Sequence, residues 1–140
     1  MSNKKQIEQP PLNGCMAMDI TIIPEQIDDR GHVNNTVHLS WIQQAALSHW
    51  KQLAGDRADQ FAWVVRRHEI DYLAPILPGT DIIALTWVGE TDAMSSIRRV
   101  RIQTRDGRIL AEAMTIWCLI DPNTGRFRRI TDDVKEILGK

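Results

Sequence analysis

The chain has no surplus of either charge: 17 lysines and arginines face 18 aspartates and glutamates, for a formal net charge of -1. A nucleic-acid partner would need a local basic patch, and none is expected. Cysteine is scarce. Cys15 and Cys118 lie far apart, without the paired spacing of a disulfide framework or a zinc site, which points to a reducing, cytoplasmic setting. No charge-free window is long enough to span a bilayer, and no apolar run follows the first lysines, so neither a membrane helix nor a secretory signal is expected. The four histidines, His32, His38, His49 and His68, have no i, i+4 pairing or matching cysteines, which excludes the common metal motifs. There is no internal repeat, second domain or low-complexity segment.

What is present suits one core. A chain of 140 residues with 43% hydrophobic content buries roughly 70% of its unfolded surface as a single domain. Residues 1–15, polar and with Pro10 and Pro11 in tandem, read as a mobile tail, and residues 16–140 as the domain. Met18, Ile20 and Ile22 alternate with Asp19 and Thr21, the period of a half-buried strand, and Pro24 ends it. A helix is expected from Asn35 or Thr36 to a stop at Gly55, with Leu39, Ile42, Ala46, Trp50 and Leu53 as its apolar stripe. Trp41, Ala45 and Leu47 widen that stripe, so the helix should be wrapped by other structure. Strands are expected over residues 61–72, 81–89, 94–105 and 108–120, with Asp106-Gly107 as the clearest hairpin turn. Residues 82–88 and 114–120 are apolar on both faces, which suits a sheet with the helix on one side and a second subunit on the other. A short helix over residues 132–138 closes the pattern.

The chemistry concentrates in residues 27–50, where an acidic turn, a glycine and two asparagines lead into the helix. An acid just ahead of a helix N-terminus can activate water or attack an electrophile, while the unpaired N–H groups of the first turn stabilise developing negative charge. Asp28 is the candidate carboxylate, and its neighbour Asp29 is expected to face solvent. Gly31 serves a sharp turn, His32 orients or braces the acid, and the Asn34 and Asn35 side chains shape the loop and cap the helix. His68 alternates with Glu69, so one of them faces the core. Arg98, Arg99, Arg101 and Arg105, like Arg126, Arg128 and Arg129, read mostly as solvated faces, although arginine forks also suit phosphate.

Asp28, then Gly31-His32-Val33-Asn34-Asn35 and Leu39, together with Arg67-His68-Glu69-Ile70-Asp71-Tyr72-Leu73 followed by Pro75 and Gly79, resemble two motif blocks of the hotdog acyl-CoA thioesterases of the 4-hydroxybenzoyl-CoA thioesterase class. The resemblance covers residues 17–130. It implies an α+β hotdog fold, a long central helix wrapped by a five-stranded antiparallel sheet, assembled as a homodimer or homotetramer. It further implies hydrolysis of an acyl-CoA or acyl-carrier-protein thioester without a cofactor, with Asp28 as nucleophile or general base and the backbone N–H of Asn35 polarising the carbonyl. Gly31, His32, Asn34, His38, His68, Arg126 and Arg128 would contact substrate. Two positions depart from the family: Gln26 stands where a further acid is common, and His38 where a tyrosine is, which bears on the acyl pocket. A dehydratase on the same fold, or a protein that binds acyl thioesters without turnover, is the alternative.

Overall fold

The computed structural model describes residues 9–140, so most of the expected N-terminal tail lies outside the described residues. Strand β1 (Met16–Ile20) is followed by a 3-10 turn at Pro24–Gln26, helix α1 (Asn35–Ala54) and a second 3-10 turn at Gly55–Gln60. Then come β2 (Ala62–Tyr72), β3 (Ile82–Thr91), β4 (Ser96–Thr104), β5 (Ile109–Ile120), β6 (Phe127–Arg128) and α2 (Asp132–Ile137). The strands form one antiparallel sheet in the order β1-β3-β4-β5-β2, with β6 added to β5. This is the hotdog arrangement, with six strands in place of the expected five. The extra strand is two residues long and pairs Leu119 and Ile120 with Arg128 and Phe127; β2 already holds the other side of those residues, so β6 extends the sheet past the start of β4.

Alternation along the strands decides what α1 covers. Ile82 and Ala84, Val100 and Ile102, and Ala111 and Ala113 pack with Trp41, Ile42 and Ala45 of the helix, and Met18, Ile20 and Ile70 lie at the margin. A second cluster gathers Trp50, Ala54, Leu119, Ile130, Val134 and Leu138 where α2 closes the far end of the core. Burying the Ile42 side chain, 1% exposed, is worth about 1.5–3 kcal/mol by area.

The helix buries most of the expected stripe, Trp41, Ile42, Ala45, Ala46 and Trp50, but not its margins. Leu47 and Leu53 are exposed, whereas His38 and His49 are buried. Two arginines also turn inward. Arg98 is 5% exposed on the helix side of β4, and Arg101 is 5% exposed on the opposite face, where it bonds Glu112 at 3.0 Å and lies 6.0 Å from the Trp87 ring. Directly across the strands, Arg98 faces Thr115 and Thr115 faces His68. With His49 above them, these residues form a polar seam between the two apolar clusters.

Candidate active site

The segment ahead of α1 is folded back on itself by local bonds. Ile27 and Val33 form an antiparallel bridge, the Asp28 N–H donates to the His32 carbonyl at 2.8 Å, and the Gly31 N–H donates to the Asp28 carbonyl at 3.0 Å. Gly31 sits at φ 79°, a left-handed conformation that glycine takes without penalty. The loop is tied to the domain by Val33 N–H to the Ile76 carbonyl and Asn34 N–H to the Gln26 carbonyl, both 2.8 Å. The bridge therefore returns the chain alongside Asp28 just as the helix begins.

The Asp28 side chain closes the loop. Its Oδ1 accepts from the Arg30 N–H at 2.9 Å and the His32 N–H at 3.1 Å, and Oδ2 has no partner among the described residues. The His32 amide, then that of Arg30, holds its carboxyl below the usual carboxylate range, with the charges of His32 and Arg30 adding to the effect. A group so held is ionised at neutral pH with one oxygen fixed and the other free.

Asn34 is the N-cap. Its Oδ1 accepts from the Thr36 N–H at 3.0 Å and from the Thr36 hydroxyl at 2.9 Å. That leaves the Asn35 N–H, first of the helix, without an acceptor among the described residues, at the positive end of the helix dipole. Asn34→Ala is expected to lower stability by about 1 kcal/mol through loss of the cap, and urea denaturation of the two proteins checks it.

His38, one turn in, is buried. Its Nδ1 lies 3.3 Å from the Asn34 carbonyl, and its ring packs on Trp41 and Tyr72 with centroids 5.7 and 5.0 Å away. Burial pushes its pKa down, only partly offset by the Asn34 carbonyl. Tyr72 was not singled out among the sequence candidates, yet its hydroxyl donates to the Asn35 carbonyl at 3.1 Å. Its place on the helix-facing side of β2, four residues after His68, is the signal that marks it.

Six of the sequence candidates thus converge at the start of α1: Asp28, Gly31, His32, Asn34, Asn35 and His38. His68 does face the helix, but it bonds Thr115 Oγ1 at 2.8 Å in the polar seam, about 13 Å along β2 from Tyr72 at 3.3 Å per residue. Arg126 and Arg128 belong to the other end of the molecule. Arg128 lies over the Phe61 ring at 5.8 Å, beyond the C-terminus of α1, and a 20-residue helix is about 30 Å long. No group of three or more histidine, cysteine, aspartate or glutamate side chains among the described residues could hold a metal ion, and no helix among them is long and apolar enough to cross a membrane.

A family model described as the thioesterase-like superfamily matches residues 22–138. No curated protein matches the chain. Among solved structures, a thioesterase from Thermus thermophilus, complexed with coenzyme A and Zn, aligns with a TM-score of 0.78 at 23% identity, over 87% of this chain and 95% of that one. A predicted thioesterase from Bacillus stearothermophilus aligns at 0.81 and 24% identity, over 89% and 94%. A 1,4-dihydroxy-2-naphthoyl-CoA thioesterase from Synechocystis aligns at 0.76 and 16% identity, over 90% and 96%. At these identities the likeness carries the fold.

Proposed function

The chain belongs to the thioesterase-like superfamily, and from that premise we propose that it hydrolyses an acyl-CoA thioester to a free acid and coenzyme A at the start of α1. The observation that carries this reading is the Asp28 carboxylate, pinned through Oδ1, next to the start of α1, with Oδ2 and the Asn35 N–H both without a partner among the described residues. Hydrolysis of a thioester needs an attacking oxygen on one side of the carbonyl and a donor to the developing oxyanion on the other. Either Oδ2 attacks the carbonyl carbon and expels the thiolate, leaving a mixed anhydride that water opens, or it takes a proton from the water that attacks. In both routes Asn35 N–H donates to the oxyanion. Coenzyme A in the Thermus thermophilus structure supports the thiol carrier, and an acyl-carrier-protein thioester meets the same chemical requirement. Thiol release from a panel of short, long and aromatic acyl-CoAs tests the reading; a folded protein that releases thiol from none of them overturns it.

The reading includes a homodimer or homotetramer. Among the described residues strand β2 ends the sheet, and an 11-residue edge strand is a template for antiparallel pairing with a second copy. Such pairing sets the C-terminal end of one α1 near the N-terminal end of the other, which is how Arg126 and Arg128 would reach a coenzyme bound at Asp28 of the partner subunit. Replacing both arginines with alanine is then expected to raise KM for an acyl-CoA about tenfold with kcat unchanged, since a charge-assisted bond is worth about 1.5–3 kcal/mol. The KM for a thioester that lacks the nucleotide should not move. An unaltered KM for acyl-CoA removes these arginines from the site.

A further inference from the structure

Beneath the second half of α1, well away from Asp28, lies a small pocket of about 30 Å³, open to solvent and lined by Trp50, Trp63, Ser96, Arg98, Trp117 and Leu138 among others. It is walled by aromatic rings: Trp50 and Trp63 meet edge to face with centroids 5.4 Å apart. Its polar groups are mostly donors. The Nε1–H groups of Trp63 and Trp117 have no acceptor among the described residues and are themselves closed off from the pocket. Leaving such a group unpaired costs about 1–3 kcal/mol, so native proteins retain few of them. Arg98, 95% buried by its 5% exposure, has no carboxylate partner among the described residues. Its bonds to His49 Nδ1 and Thr86 Oγ1 both leave from Nη1, so Nε and Nη2 have no acceptor among those residues. Ser96 is committed to Thr91 at 2.8 Å.

A buried cation whose remaining donors have no acceptor among the described residues lacks an anion. We propose that this pocket binds a carboxylate carried on a small apolar body, with its oxygens on the Arg98 guanidinium and its chain or ring against the tryptophans. A guanidinium fork matches a carboxylate in two places, and the small open pocket takes the carboxylate head and leaves the apolar body at its mouth. Two sources carry this chemistry: a free organic acid, or the distal carboxylate of an acyl group whose other end is a thioester. The site stands without reference to Asp28.

The test uses the full-length protein. Tryptophan fluorescence and calorimetry would follow binding of octanoate and 3-phenylpropanoate against their primary amides, which keep the shape and lose the charge. In parallel, CoA thioesters of a dicarboxylic acid and of the monocarboxylic acid of equal length would be compared as substrates. The expected result is a preference for the carboxylate of about tenfold or more in at least one arm, lost in Arg98→Met and weakened in Arg98→Lys, which keeps the charge and loses the fork. Preference in the binding arm assigns the site to free acids, and preference in the thioester arm assigns it to the acyl group. Equal binding of acid and amide with no Arg98-dependent preference among thioesters overturns the proposal. An absence of all turnover overturns only the hydrolase reading, because the binding arm still decides this one.

Discussion

Asp28→Asn is expected to lower kcat by about 10²-fold or more, within the range of about 10²–10⁴ for a placed general base and further if the carboxylate is the nucleophile. Asparagine is the informative substitution because of what Asp28 does besides chemistry. Its Oδ1 holds the loop through the Arg30 and His32 amides, and the amide oxygen of asparagine accepts the same two bonds. What changes is the Oδ2 position, which becomes a donor and loses its charge. The variant should therefore fold and bind an acyl-CoA with near wild-type affinity while releasing little thiol. Retained affinity with lost turnover would also exclude a protein that only binds thioesters. Because the backbone amides hold the Asp28 carboxyl below its usual range, it stays ionised on mild acidification, and kcat/KM should not fall through its protonation between about pH 7 and 5. A variant that keeps more than a tenth of wild-type kcat would remove Asp28 from the chemistry.

The local geometry at the start of α1 was legible in the sequence because its determinants are local. A glycine at positive φ, an asparagine cap and an acid a few residues ahead of a helix are each fixed by near neighbours in the chain, so their order predicts their geometry. The helix limits and four of the long strands follow from periodicity and turn residues in the same way. The polar seam and the pocket are different. Arg98 is one of several arginines in a strand that reads as solvated, and only the register of β4 against β5 and β2 turns it under α1 beside His49. Leu47 and Leu53 failed as core positions for a related reason. The sheet covers one side of the helix, and which side is a property of packing, not of the helix's own pattern. Strand β6 is too short to carry a period at all. His68 sat in a quoted motif block, yet its bond to Thr115 assigns it to the seam.

The seam makes the fold acid-sensitive in a defined window. His49 is 4% exposed, and burial first, then the Arg98 charge beside it, lowers its pKa from 6.5 to about 4. Its Nδ1 meets the Arg98 guanidinium, so the folded protein needs a lone pair there and holds the imidazole neutral. In the unfolded chain the ring takes up a proton near its ordinary value. The unfolded state thus binds more protons below about pH 6.5, and stability falls as pH drops from there toward 4. A shift of this size amounts to about 3 kcal/mol lost by pH 4, at about 1.36 kcal/mol per unit. His38 and His68 are also shifted down by burial and act in the same direction. The lowered carboxylates Asp28, Asp81, Asp92 and Asp133 act in the same direction but in a lower window: their contribution is present above the ordinary carboxylate value and is lost as pH falls from there through their folded values. Urea denaturation at pH 7, 5.5 and 4 should show the loss in wild type. The paired replacement of His49 with leucine and Arg98 with methionine should flatten the slope, since it removes the titrating group and the buried charge together and avoids the unpaired cation that a single change would leave. A slope between about pH 6.5 and 4 that is unchanged in the double variant would assign the acid sensitivity to His38 and His68.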